Sequence, residues 1–314
     1  MTACLRAAFA ILCLCHFALP AQTPDRRMAI TIDDLPTASV LGDDVAAAER
    51  TTTALVAALK RHRVPAIGFV NERKLQPRGT VDPRRVALLQ QWIDAGLELG
   101  NHTYSHPDLH GTPLARFQRD VLDGERVTRT LLATEGKQPA FFRHPFLHTG
   151  RSLQVKTSLE AFLLKNGYRI APVTVDNYDY LFAAAYDRSG AKGDHPTQQR
   201  VADAYIAYMD AVISFYETQS VKIVKREIAQ TLLLHASALN AAHFDRLFET
   251  IRARGYSFVS LSEAMADPAY RHRDEYVGPG GITWLHRWAL TDGMNGSISA
   301  GEPAVPEWIE RAAK

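Results

Sequence analysis

The residues that could do chemistry stand at the ends of short apolar runs. "AITIDD" ends in adjacent carboxylates, Asp33 and Asp34, and "HTYSH" carries two histidines four apart, His102 and His106. "FFRHPF" carries Arg143 and His144, "DNYDY" carries Asp176 and Asp179, and "LLLH" ends in His235. Side-by-side carboxylates at the end of a buried strand repel each other and are costly to desolvate. Two histidines joined by a carboxylate from another strand are sufficient protein ligands for a divalent metal with open positions. A cation beside Asp33 and Asp34 removes their repulsion. One carboxylate then binds it, the other remains as a base, and Arg143 can offset its charge. Taken singly, an acidic pair often caps a turn and a His-x-x-x-His often faces solvent; five such groups, each ending an apolar run, argue for one site.

Positioning them takes a particular framework. From residue 28 the pattern alternates, with strands expected at 29–32, 66–70, 97–99, 140–142, 168–175, 230–234 and 256–261. Helices are expected at 45–60, 82–96, 112–136, 152–166, 197–218 and 241–254, several opened by a capping residue or Pro and closed by Gly. Short apolar strands of this kind belong to a parallel sheet covered by helices. In such folds functional groups gather at the C-terminal ends of strands. No glycine-rich phosphate loop follows the first strand, which favours a closed or nearly closed barrel over a doubly wound sheet. A mostly helical insertion, 177–218, separates strands five and six. The expected organisation is a catalytic domain over 22–266 and a C-terminal extension, 267–314, packed on the barrel.

The chain has 314 residues, 46% of them hydrophobic, and a formal net charge of +2. That balance argues against a nucleic-acid partner. Residues 1–21 read as a secretory signal peptide: Arg6, an apolar run too short for a stable membrane span, then small residues. Such a signal points to a secreted or periplasmic protein. All three cysteines, Cys4, Cys13 and Cys15, lie within it. The chain beyond has no thiol, so a metal must be held by His, Asp or Glu. Trp284 and Trp288, four apart, could stack on sugar rings but read first as packing.

The motifs resemble those of the polysaccharide deacetylases of the NodB-homology type, carbohydrate esterase family four. The family's T-F-D-D-G is represented by Thr31-Ile32-Asp33-Asp34-Leu35, and its H-[ST]-x-x-H is matched in full by residues 102–106. Its R-P-P-[YF] is represented by Arg143-His144-Pro145-Phe146, its D-x-x-D-W by Asp176-Asn177-Tyr178-Asp179-Tyr180, and its L-x-H by Leu233-Leu234-His235. The order agrees, over residues 28 to 265. The resemblance implies a distorted (β/α)7 barrel, in agreement with the seven units counted from the pattern. It implies a divalent metal, Zn2+ with Co2+ or another ion as alternatives, held by Asp34, His102 and His106. Asp33 would be the general base, oriented by Arg143. His235 would be the general acid, oriented and charged by Asp179. The Phe146 backbone N–H would serve the oxyanion, and Tyr180 and His144 would line the substrate groove. Leu35, His144 and Tyr180 replace a glycine, a proline and a tryptophan of the family, which bears on the substrate.

The implied activity is hydrolysis of N-acetyl groups on an amino-sugar polymer or oligomer, giving acetate and a free amine. The same machinery would serve an O-acetyl esterase or an amidohydrolase for a non-sugar amide. A catalytically inactive carbohydrate-binding protein is expected to have lost its base or acid, yet Asp33, Arg143 and His235 are all present. A non-haem Fe(II) oxygenase would need no base, arginine partner and distant histidine acid. The sequence sets no oligomeric state.

Overall fold

The computed structural model describes residues 26–294 and 298–314; the expected signal peptide lies outside them. Seven strands form one parallel sheet: β1 (Arg27–Leu35), β2 (Ile67–Val70), β3 (Glu98–Asn101), β4 (Phe141–Phe142), β5 (Arg169–Ile170), β6 (Gln230–His235) and β7 (Ser257–Phe258). The hydrogen-bonded order is β5-β4-β3-β2-β1-β6, with β7 on the start of β1. β1 is central, and Met28 to Asp33 are buried without interruption. A strand covered on both faces needs apolar residues on both, which explains why its run does not alternate.

The sheet curls until its ends meet. Pairing of β5 with β4 stops at Ile170, just before Pro172, which has no N–H to give. The chain then turns, and Val175 bridges Leu232 on β6, with Thr174 N and Val175 N both donating to the Thr231 carbonyl at 3.0 Å. The strand expected over 168–175 is therefore two pieces, one on each side of the seam of a distorted (β/α)7 barrel.

Helices cover the outside. α1 (Val45–Arg61) starts at Asp44, whose side chain accepts from Ala46 N at 2.9 Å, a cap worth about 1 kcal/mol. It turns Ala48, Thr52, Leu55 and Leu59 inward at helical spacing. α2 (Pro83–Asp94) follows β2. The single helix expected over 112–136 is two, α3 (Leu114–Asp123) and α4 (Arg126–Ala133). The helical backbone is left at Glu125, with φ −124°, and Gly124 beside it has no room for a side chain: a Cβ there would lie 2.3 Å from the Thr103 carbonyl carbon, in the loop carrying the paired histidines. α5 (Leu153–Lys165) precedes β5.

The insertion holds more helix than the 197–218 expected: α6 (Asp179–Ala191), a turn at Gly193 with φ +69°, and α7 (His195–Val224). α8 (Ala238–Ala253) and the short α9 (Leu261–Ala264) complete the units. Beyond residue 267, α10 (Trp284–Thr291) packs on α7 and α11 (Glu307–Ala312) packs on α6. Trp284 and Trp288 are both buried, so this pair packs rather than presenting a platform. Among the described residues no helix is long and apolar enough to cross a membrane.

Candidate active site

In a regular strand Asp33 and Asp34 would face opposite sides of the sheet. Here the β1–β2 register shifts between Ile32 and Leu35, and Asp34 takes φ +72°. Both carboxylates thereby reach one imidazole: His102 Nε2 lies 3.8 Å from Asp33 Oδ2 and 3.9 Å from Asp34 Oδ1. His106 Nε2 stands 3.9 Å from the same Asp34 oxygen. Five of the seven non-glycine residues with positive φ among the described residues lie in these loops: Asp34, Thr103, His106, Phe146 and Leu147. Such backbone costs about 1–3 kcal/mol per residue and persists only where its surroundings over-determine it.

His102 Nδ1 donates to the Arg143 carbonyl at 2.9 Å, which fixes the tautomer and leaves Nε2 bare. Burial pushes the pKa of His102 and of His106 down to about 4, so both stay neutral, as metal ligands must. Burial acts to raise the Asp34 carboxyl, but Lys74, 3.5 Å away, and the neighbouring histidines outweigh it and hold it well below the usual range. Asp34 Oδ1 is buried and has no hydrogen-bond partner. An orphaned carboxylate oxygen facing two bare imidazole nitrogens, all three ligand atoms within 4.8 Å of one another, fits a divalent cation.

Asp33 is enclosed, and its Oδ1 also has no hydrogen-bond partner. Arg143 Nη1 stands 4.0 Å from Asp33 Oδ2, an ion pair without a hydrogen bond. The guanidinium is held by Thr31 Oγ1, which accepts from Nη2 at 2.7 Å and donates to the Leu232 carbonyl at 2.8 Å. Burial raises the Asp33 pKa above the usual carboxylate value; Arg143 and His235 oppose this, and Asp34 adds to it.

Asp33 pairs in register with His235 across β1 and β6. Asp179, fully buried, opens α6. Its Oδ1 sits 2.6 Å from His235 Nδ1, and its Oδ2 accepts from His235 N at 2.8 Å and Asn240 Nδ2 at 2.9 Å. Burial works against a charged imidazole here. Asp179, helped by Asp34 and Asp33, outweighs it and brings the His235 pKa up to about 9.

Asp33, Asp34, His102, His106 and His235 line one cavity of about 500 Å³, which also takes in Asp176, His144, Phe146 and Tyr180. Phe146 is half exposed and meets His106 edge-on at 4.5 Å. Tyr180 lies 6.1 Å from the His235 ring. His144 is enclosed, with both ring nitrogens unpartnered, and burial beside Arg287 and Lys156 keeps it neutral. Burial pushes Asp176 up to about 7, while its Oδ1 accepts from Asn177 N at 2.9 Å. A second group, Asp108, His110 and His148, stands on neighbouring loops. The two imidazoles stack at 3.8 Å and 7°, so their in-plane lone pairs run parallel and do not converge.

Eight of the ten expected site residues line this cavity, and the other two, Arg143 and Asp179, stand behind it against Asp33 and His235. Others there were not expected. Lys74 Nζ donates to the Asp34 and Thr37 carbonyls at 3.0 and 3.2 Å, and Asn71 Nδ2 donates to the His102 carbonyl at 2.6 Å. Both fall in "NERK", the polar run directly after β2, at the same strand-end rim as the rest; that position was the available signal. Asn240, which holds Asp179, sits in a helix and gave none.

The fold and site define a (β/α) barrel with a candidate metal centre on its strand-end rim. Residues 21–162, a little under half of the chain, match the model of the polysaccharide deacetylase family. A chitooligosaccharide deacetylase from Bradyrhizobium sp. (strain ANU 289) is 33% identical over 88 residues, which span 28% of this chain and 36%, about a third, of that relative. Among solved structures, a family 4 carbohydrate esterase from Streptomyces lividans in complex with acetate is 19% identical, covers 76% of this chain and 96% of its own, and has a TM-score of 0.46. A mutant, with restored enzymatic activity, of a CE4 family pseudoenzyme from Bacillus anthracis is 18% identical, covers 77% and 69%, and has a TM-score of 0.48.

Proposed function

We propose that this protein is an exported, metal-dependent deacetylase that hydrolyses N-acetyl groups of an amino-sugar polymer or oligomer. One observation carries the reading. A buried carboxylate with an unpartnered oxygen, Asp33, and an imidazole paired to a buried carboxylate, His235 on Asp179, share a cavity with an Asp-His-His group whose carboxylate oxygen also has no hydrogen-bond partner. Asp34, His102 and His106 would hold the ion. A bound divalent cation supplies Lewis-acid polarisation of the acyl carbonyl and acidifies water.

The chain's own groups do the rest. Asp33 takes a proton from the attacking water, and its raised pKa brings it nearer the working pH of a general base. Arg143 keeps Asp33 supported from 4.0 Å without hydrogen bonding to it, which leaves its oxygens free to accept. The Phe146 N–H donates to the carbonyl oxygen as that oxygen gains charge. His235, charged through Nδ1 by Asp179, gives the Nε2 proton to the departing amine as the C–N bond breaks. Water is consumed, and acetate and a free amine leave. Tyr180 and Phe146, half exposed on the cavity, offer ring faces to a sugar. In this reading the catalytic domain is 22–266, and 267–314 is an extension packed on it.

The test is an acetate-release screen with N-acetylated chitooligosaccharides, peptidoglycan and O-acetylated xylan as separate arms. Release from an amino-sugar arm supports the proposal. Release from xylan alone makes the protein an O-acetyl esterase, and release from none, with metal bound, removes the catalytic reading.

A further inference from the structure

The C-terminal segment touches the catalytic rim at a point where its sequence leaves no latitude. Gly281 lies so close to Phe146 that a Cβ built on it would stand 1.8 Å from the Phe146 carbonyl oxygen and 3.0 Å from its carbon. The φ of Gly281 is not left-handed, so what stands against alanine is the close approach of this loop, with Leu147 Cβ a further contact at 3.3 Å. Gly281 also lines the cavity that holds Asp33, His102 and His235.

Six residues on, Arg287 grips the same loop. It is fully buried, donating through Nη1 to the Leu147 carbonyl at 3.4 Å and through Nη2 to Thr149 Oγ1. Its Nε is fixed by Asp274 at 2.9 Å, and the same Asp274 oxygen accepts from Lys156, on α5, at 2.6 Å. The extension thus reaches the loop from Phe146 to Thr149 by one main-chain contact and two hydrogen bonds, and α5 behind it by an ion pair.

This loop needs holding. Phe146 and Leu147 are consecutive non-glycine residues with φ of +57° and +54°, a geometry that external contacts must impose. Phe146 is 54% exposed, so its ring anchors little. The main chain sets where the Phe146 N–H points. A donor to a developing oxyanion works only if it is already in place.

We propose that residues 274–287 clamp the Phe146 loop and that Gly281 is a positioning residue for the oxyanion donor. The proposal rests on the reading of Phe146 given above. If the contact were plain loop packing, alanine at 281 would cost stability and leave turnover alone.

The test uses the metal-replete full chain. Gly281→Ala is compared with Gly280→Ala, where a Cβ would meet atoms no nearer than 3.6 Å. Thr149→Val, nearly isosteric, removes one of Arg287's bonds to the loop and guards against a Gly281→Ala protein that fails to fold. kcat and KM for acetate release from a chitooligosaccharide, metal content and melting temperature are measured. Gly281→Ala should lower kcat by about tenfold or more, with KM within about threefold and metal content unchanged, because the interaction lost exists mainly in the transition state. Thr149→Val should lower kcat in the same sense by about threefold, and Gly280→Ala should match wild type. Wild-type kcat in Gly281→Ala and Thr149→Val, or equal losses in both glycine variants, overturns the clamp. A crystal structure of Gly281→Ala gives a readout free of substrate: the Phe146 carbonyl should move by about an ångström. A Phe146 left in place while 276–283 moves away overturns the clamp. A displaced Phe146 in a protein whose wild type releases no acetate refutes the proposed activity and leaves the clamp standing.

Discussion

Replacing Asp179 with Asn removes one charge from a closed hydrogen-bond set. Asp179 Oδ2 takes two donors, His235 N and Asn240 Nδ2, while Oδ1 faces His235 Nδ1. An amide has one oxygen. If that oxygen serves the two donors, the NH2 turns to Nδ1 and the imidazole is forced into the other neutral tautomer. If it serves Nδ1, two donors face the NH2. In either case the charge that opposed burial is gone. His235 lies at about 9 with Asp179 present, against an ordinary 6.5. Losing a carboxylate at contact distance should lower this by roughly one to three pH units. For a drop of two, the protonated fraction at pH 8 falls from about nine-tenths to about one-tenth, so kcat there falls about tenfold. The assay is kcat for acetate release from pH 5 to 10, with metal content measured alongside. The alkaline limb should move to lower pH in Asp179→Asn, with metal unchanged. Stability carries the same sign. A histidine raised on folding contributes stability that is full below pH 6.5 and lost as pH rises through about 9, so the variant should lose that part of the wild-type melting curve. A limb that stays put or moves to higher pH, in a folded variant, would refute the view that Asp179 charges the acid.

Asp33→Asn should keep its metal, because Asp34 and the two histidines make the ligand set, yet lose roughly a hundredfold or more in kcat. Near-normal turnover in the metal-replete variant would assign the base elsewhere. The acid limb of the wild-type profile should sit above the ordinary carboxylate range, following the raised pKa of Asp33, and should vanish in this variant. His102→Ala should purify with little or no bound metal and no turnover, read by elemental analysis; a stoichiometric ion in that variant would remove His102 from the ligand set.

The rim was legible because β1, β3, β4 and β6 each end in a motif whose residue types are costly to bury without a partner. Thr31 to Leu35 also shows where legibility stops. Adjacent aspartates were evident, but a period-two strand puts them on opposite faces, and only the register shift and the αL backbone at Asp34 bring both to His102. The break at Gly124 was hidden for a related reason: the helical pattern runs through it, and the contact that demands glycine there is with Thr103, twenty-one residues away in the chain. Lys74 and Asn71 were readable by position, at the end of β2, but carry no pairing pattern of their own. Gly281 and Arg287 were not readable at all. Their meaning lies in contacts with residues about 135–140 positions away, and no local period records those.

The central claim is that Asp34, His102 and His106 hold a divalent ion on which turnover depends. The most direct measurement is acetate release by chelated wild-type protein as Zn2+ is returned in fractions of an equivalent. Activity should be absent at the start, rise linearly, and break at one ion per chain. Full turnover in the chelated protein, with elemental analysis showing no metal, would contradict it.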